Sequence, residues 1–285
     1  MFDLEPTVRS RELGLVLSRK MSAIDMSQGD LARELDWSPS MVSRMISGKR
    51  PVSAELMSGV FGVLRITGAE RRRLMAIARR VTQRGWWQEF GNRLPVELTT
   101  LVDQEDSATG VVAFEPGYVP ALLRTPEYMT ALMTVAPSIP GNEIDARVRA
   151  SLVRQRIFDR KRPADFLFLV DEYALCRTGA GRDIMSSQVH HLLRMSVRPN
   201  IDLRVVPEAE GCLPAGVGTG FQLMEFAQIK PVVYVEHETS VLFLEREDTV
   251  TGYQKLAAEL TRIALDETQT RTWLTTVAER LEAPE

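Results

Sequence analysis

Cysteine is scarce in this sequence. Cys176 and Cys212 are the two present, too few for a disulfide framework and without the paired spacing of a zinc site. Both are expected to be reduced, semi-buried thiols. Histidine is nearly as rare: His190, His191 and His237 are the three, and none falls in a metalloprotease helix motif or a spaced ligand cluster. The run Glu236-His237-Glu238 fits a half-exposed strand edge. No stretch approaches the ~18 apolar residues of a membrane span. The opening residues, MFDLEPTVRSREL, put acids and a proline where a signal peptide needs bases and then an apolar core. A cytoplasmic protein with no membrane partner is therefore expected. A phosphate-cradling loop is missing too, because PAGVGTGF (214–221) has the glycines without the Lys-Ser/Thr ending. Asp171 and Glu172, adjacent at a strand end, point apart and suit helix capping better than a carboxylate pair, and Cys176 has no histidine base nearby in sequence. No catalysis, cofactor or metal is expected.

What is present is an ordinary globular composition with an uneven charge. With 44% hydrophobic and 26% charged residues, the 285-residue chain can bury a sizeable core and is long enough for two domains. The net charge of -3 conceals 15 bases against 9 acids in residues 1–84, and 20 bases against 29 acids in the remainder. A basic head on an acidic body results. Neutralising phosphates releases counterions, so a basic face of this kind is the electrostatic footprint of a nucleic-acid binder.

The head's apolar spacing predicts a series of short helices. Leu13, Val16, Leu17, Lys20 and Ile24 recur every three or four residues, placing a stripe on a first helix from about Thr7 to Met21. Ser27, with capping-box spacing to Asp30, opens a second helix whose inward face is Leu31, Ala32 and Leu35. Asp36 can occupy the left-handed turn that follows, at a cost glycine would avoid. Ser38 caps a third helix with Pro39 at its first position and Met41, Val42, Met45 and Ile46 on its apolar side, until Gly48 ends it. A fourth helix is expected from Ser53 to Leu64. Thr67 and Glu70 have capping-box spacing for a fifth, through about Arg84.

Two short helices joined by a tight turn, with small Ala32 where they cross, match the helix-turn-helix arrangement, whose second helix enters a DNA major groove. Arginine can donate two hydrogen bonds to guanine and serine can bond several base edges. Arg44, Ser40 and Ser43 are thus the base-contacting candidates. Gln28, Ser38, Lys49 and Arg50 sit at helix ends, where phosphates are the expected partners. Ser38 can equally serve only as a cap. The segment Gln28 to Gly48 resembles the Xre class of lambda-repressor-like regulators, with Gln28 opening the first helix, Ala32 at the small position, Val42 at the core position and Ser47-Gly48 at the end. Asp36 departs from the glycine usual in that family.

The head is expected to end at GWWQEFGNRLPVEL (85–98), a hinge whose adjacent Trp86 and Trp87 cannot face the same way, leaving residues 99–285 as a second domain. Thr99–Phe114, Glu143–Arg160, Asp183–Met195 and Thr249–Leu265 look helical. DFLFLV (165–170), IDLRVV (201–206), FQLMEF (221–226), PVVYVEH (231–237) and VLFLER (241–246) look like strands, with short turns between the last three. The expected architecture is a five-helix, all-α, lambda-repressor-like N-terminal domain followed by an α+β domain with a mostly antiparallel sheet. GWWQEF, EPGYVPALLRTPEYM, Arg154-Gln155-Arg156, DEYALCR, RVVPEAEG, GFQLMEF, VVYVEH and FLERED, in this order, resemble the C-terminal domain of actinomycete Xre-type regulators, WhiJ-like and antitoxin-like members among them. That resemblance implies a transcriptional regulator often encoded beside a small partner protein, and assigns no ligand residues. The expected protein is a homodimer on an inverted-repeat DNA operator, whose second domain senses a small-molecule effector or a partner protein. The competing expectation is an antitoxin-like protein that sequesters a small cognate protein and autoregulates by binding DNA.

Overall fold

The computed structural model describes residues 8–50, 52–82, 96–176, 179–208, 218–227, 230–237 and 240–283. The chain divides into two compact units, 1–89 and 90–285. The Trp86-Trp87 hinge and Cys212 lie outside the described residues.

In the first unit the helices are α1 (Val8–Ala23), α2 (Gln28–Glu34), α3 (Pro39–Ile46), α4 (Ala54–Val63) and α5 (Gly68–Thr82). Serine hydroxyls start three of them: Ser27, Ser38 and Ser53 accept from the backbone N–H of Asp30, Met41 and Leu56. Each satisfies a donor that the first turn leaves without a partner, worth about 1 kcal/mol. Three helices end alike. After α1, α2 and α4 a residue with left-handed backbone (Asp25, Asp36, Arg65; φ 50°, 53° and 52°) turns the chain. The next N–H then reaches back to the last helical turn, from Met26 to Met21, Trp37 to Ala32 and Ile66 to Phe61. The core gathers Leu13, Leu17, Leu31, Val42, Met45, Phe61, Leu74 and their neighbours. Ile24, expected on the α1 stripe, instead lies past the end of the helix and is 42% exposed.

The second unit is built on a six-stranded sheet: β1 (Gly110–Glu115), β2 (Asp165–Asp171), β3 (Ile201–Val206), β4 (Phe221–Glu225), β5 (Val232–His237) and β6 (Ser240–Leu244), in the order β3-β2-β1-β4-β5-β6. β1, β2 and β3 run parallel, whereas β4, β5 and β6 pair antiparallel to their neighbours. The sheet is therefore mixed, not mostly antiparallel. Helices make the difference: α7 (Pro126–Val135) and α8 (Ile144–Gln155) intervene between β1 and β2, and α9 (Glu172–Cys176) and α10 (Arg182–Met195) between β2 and β3. Crossovers of that length return the chain in parallel. The helix expected over Thr99–Phe114 splits into α6 (Val96–Ser107) and β1, where the β-branched pair Val111-Val112 leads a strand. α11 (Glu247–Ile263) and α12 (Glu267–Glu282) close the chain.

Side chains alternate across the sheet. Phe114, Leu169, Phe221, Leu223, Val233 and Val235 form one core with Val250, Ala257 and Leu260 of α11. On the other face Ala113, Gln222 and Tyr234 stand in register across β1, β4 and β5. Over them α8 brings Arg154, which grips Glu105 of α6 through two N–H groups at 2.5 Å each. Gln222 donates to the same carboxylate at 2.8 Å. Both charged side chains are buried, at 8% and 1% exposure. Burial works against the Arg154 charge, and the charge and hydrogen bonds of Glu105 more than offset it, holding the guanidinium above its ordinary range. Gln188 of α10, fully buried, accepts from the Thr125 N–H at 2.7 Å and donates to the Leu123 carbonyl at 2.7 Å, fixing the proline-rich turn ahead of α7.

Candidate nucleic-acid interface

α3 carries two opposed faces. Val42 and Met45 are buried, each stabilising the head by about 1.5–3 kcal/mol. Ser40, Ser43, Arg44 and Ser47, spaced at three and four residues, lie together on the opposite side. The three serines are exposed and Arg44 is half-exposed. The Arg44 side chain folds back along the helix: its Nε donates to the Ser40 carbonyl at 3.2 Å and its Nη2 to the Ser40 hydroxyl at 2.8 Å. Ser40 and Arg44 thus form one polar unit at the solvent surface.

The remaining candidates flank this stripe. The Ser38 hydroxyl is occupied as an acceptor for Met41 N–H at 3.2 Å, which satisfies the capping role and leaves its O–H proton for another acceptor. Gln28 is exposed at the first position of α2. Beside it, hydrogen bonds from the Ser27 hydroxyl and backbone N–H hold the Asp30 carboxyl below its ordinary range, with a smaller contribution from Arg33. Lys49 is exposed after α3, and the Arg50 backbone N–H bonds the Arg44 carbonyl at 3.1 Å.

Three fastenings of the first unit escaped the sequence reading. Gly14 of α1 faces the end of α3 so closely that a Cβ there would meet the Ile46 carbonyl oxygen at 1.8 Å. A glycine at the inward edge of the Leu13–Leu17 stripe was the available signal. Lys20 pairs with Glu70 at 2.8 Å, tying α1 to α5. Arg71 donates to the Ser58 hydroxyl at 2.6 Å, tying α5 to α4, so at least one arginine of α5 serves the fold.

The second unit's isolated polar residues take modest positions. Asp171 caps the turn into α9 by accepting from Tyr173 N–H at 3.1 Å. His190 Nε2 lies 2.5 Å from Glu282, and burial pushes His191 below the usual imidazole range. His237 is exposed at the end of β5. Among the described residues no three His, Cys, Asp or Glu side chains are grouped to hold a metal ion, and no helix is long and apolar enough to cross a membrane.

Residues 19–70, spanning the end of α1 through the start of α5, match the family model described as "Helix-turn-helix". With the capped turn and the opposed faces of α3, that match defines a helix-turn-helix, DNA-binding regulator of transcription. Residues 98–276, well over half of the chain, match the model described as "Domain of unknown function (DUF5753)", and the chain belongs to that family. No curated protein and no solved structure matches the chain significantly.

Proposed function

We propose that this protein reads an inverted-repeat operator as a homodimer, with residues 1–84 on DNA and residues 99–285 joining two copies and sensing an effector. Arg44 reads a base edge and Ser40 and Ser43 assist it, while Gln28, Ser38, Lys49 and Arg50 hold phosphates. The observation that carries this reading is the stripe Ser40, Ser43 and Arg44, turned to solvent opposite buried Val42 and Met45. With exposed Ser47, four hydrogen-bonding side chains share that face. The protein acts in the cytoplasm without catalysing a reaction, and its resemblance to WhiJ-like actinomycete regulators supports a regulatory effector or partner for the second unit.

The test begins with selection of bound sequences from random duplex DNA by the full chain. Arg44→Ala should then cost about 1–3 kcal/mol on the selected site and little on random DNA, while Arg50→Ala weakens both and makes the salt slope shallower by about one unit. Equal losses from Arg44→Ala on both DNAs would remove its base-reading role.

A further inference from the structure

At the carboxyl end of β1 the sheet changes sense: β2 lies parallel on one side and β4 antiparallel on the other. In open sheets flanked by helices, ligands are held in the crevice outside the carboxyl ends of strands where the strand order reverses, as it does between β1 and β4. A cavity of about 120 Å³ sits there. Its lining includes Glu115 at the end of β1, Gln222 of β4, Tyr234 and Glu236 of β5, Arg124, and Arg154 of α8. Glu115 and Glu236 stand two residues beyond Ala113 and Tyr234, and so point to the same face as that row.

We propose that this cavity binds a small organic cation, an amine with a short apolar portion. The inference rests on the reading of the second unit as a sensor and supplies its ligand class. Charge decides the sign. Arg154 is matched by Glu105 through its paired contacts, and Arg124 by Glu115 at 2.6 Å. Glu236 accepts from the Tyr234 hydroxyl at 2.8 Å; the charge of Arg154 acts on it without a close ion pair, and no other cationic side chain among the described residues pairs with it. The lining itself carries two carboxylates and two guanidiniums, and Glu105, outside the lining, adds a third carboxylate behind Arg154. An incoming anion would have to displace a carboxylate from an arginine and would add to the excess charge. An ammonium group instead completes Glu236, which retains acceptor capacity beyond the one tyrosine bond.

The rest of the wall fits the apolar portion of such a molecule, with Leu101, Ala113 and Ala121 lining the same space. At ~30 Å³ per water, the cavity has room for about four waters, or for an alkylamine of similar bulk. Tyr234 supports the arrangement. Burial, and then the charge of Glu236, raise its phenol well above the ordinary range, so it stays a hydrogen-bond donor that fixes the carboxylate rather than competing as an anion.

The probes are butylammonium chloride, 1-butanol and sodium butyrate, titrated into the full chain and followed by calorimetry and by thermal shift. Butylammonium should bind and stabilise the second unit, with butanol and butyrate inert at the same concentration. Glu236→Gln, at an exposed position and with an amide oxygen still able to accept from Tyr234, should weaken the amine about tenfold. Ala121→Leu, which fills the cavity without altering a charge, should abolish binding. Equal binding of butanol or butyrate overturns the proposal, as does amine binding indifferent to both substitutions, or no amine binding at all. Affinity for the selected DNA is measured in parallel. Amine binding that leaves DNA affinity unchanged sustains the site and defeats the sensor reading, because linkage requires coupling to act in both directions.

Discussion

Polar and charged side chains buried among the described residues divide unequally between the two units. Ser10 is the one in 1–89, whereas 90–285 buries Glu105, Arg154, Gln188, Gln222, Thr270 and four others. The first unit keeps its ion pairs outside: Lys20–Glu70 and Asp30–Arg33 have partly or largely exposed side chains, a setting in which each pair is worth about 0.2–1 kcal/mol. Its core is apolar and closes over neighbouring short helices. The second unit places polar contacts between distant segments in its interior. Arg154 and Glu105 are 49 residues apart, and Gln222 and Glu105 are 117 apart. One unit keeps nearly all its polar side chains at the surface; the other buries several of them.

If this division of labour holds, separating the units has the largest effect. A chain ending at Arg84 should be monomeric, because the head's surface carries arginines that would repel a copy of itself. It should bind single half-sites weakly and lose the gain from joining two heads on sites ~34 Å apart, a gain of roughly 10²–10⁴-fold. Sedimentation of the short and full chains, with titration of one-site and two-site DNA, checks this. A short chain that still dimerises and binds two-site DNA as tightly as the full chain would move the dimer contact into the head.

The next largest effect lies in the buried pair. Glu105→Ala leaves Arg154 as an uncompensated buried charge, which should cost about 3–5 kcal/mol. Calorimetry should show the unfolding transition of the second unit falling while that of the head stays in place. Replacing all three members, as Glu105→Leu with Arg154→Met and Gln222→Leu, should recover much of the loss, since a matched apolar cluster has no desolvation cost and leaves no buried donor without an acceptor. A loss under about 1 kcal/mol for Glu105→Ala would erase the contrast between the units.

Gly14→Ala tests the opposite quality of the head, its close packing. A methyl group there meets the Ile46 carbonyl oxygen at 1.8 Å, and backbone cannot swing away as a side chain can. α3 must shift against α1, at a cost of about 1–3 kcal/mol. DNA affinity should fall with stability, because the same shift moves Ser40, Ser43 and Arg44. Unchanged thermal stability of Gly14→Ala would mean that α1 does not fix α3.

How far the sequence could be read follows the same divide. The caps Ser27 and Ser38, the turn at Asp36 and the stop at Gly48 are local signals, and the structure forms each of them. The exposed stripe on α3 was legible for the same reason. Most strands of the second unit were legible from β-branched and aromatic runs. Their directions were not, because whether a strand runs parallel depends on the connection between strands and not on the strand itself. β1 was hidden by its position directly after a helix. α12 was missed although Asp266 and Gln269 form a capping box and Thr270, Leu274, Val277 and Leu281 recur at helical spacing. The Arg154–Glu105–Gln222 centre had no local signal at all: its members come from α8, α6 and β4, and only the fold brings them together.

The smallest effect concerns how the two units turn their chains. Among the described residues, the second unit uses Gly117 and Gly181 at left-handed positions, whereas the first places Asp25, Asp36 and Arg65 there beside Gly48 and Gly68. An L-residue with a Cβ is strained in that conformation by roughly 1–2 kcal/mol, aspartate less than most because its short side chain can bond locally. Glycine removes the strain but has more freedom to lose on folding, by about 0.5–1 kcal/mol. Asp36→Gly should therefore stabilise the head by only a few tenths of a kcal/mol, and Arg65→Gly by somewhat more, since arginine has no local bond to offset its strain. Removing the acid beside α3 should also strengthen binding to all DNA slightly at low salt, an effect that fades as salt screens it. Thermal melts of the two variants, with DNA titrations at two salt concentrations, separate strain from charge. If Asp36→Gly lowers the melting temperature, the aspartate contributes more to this turn than its backbone angle costs, and its place in a helix-turn-helix would be a gain in stability.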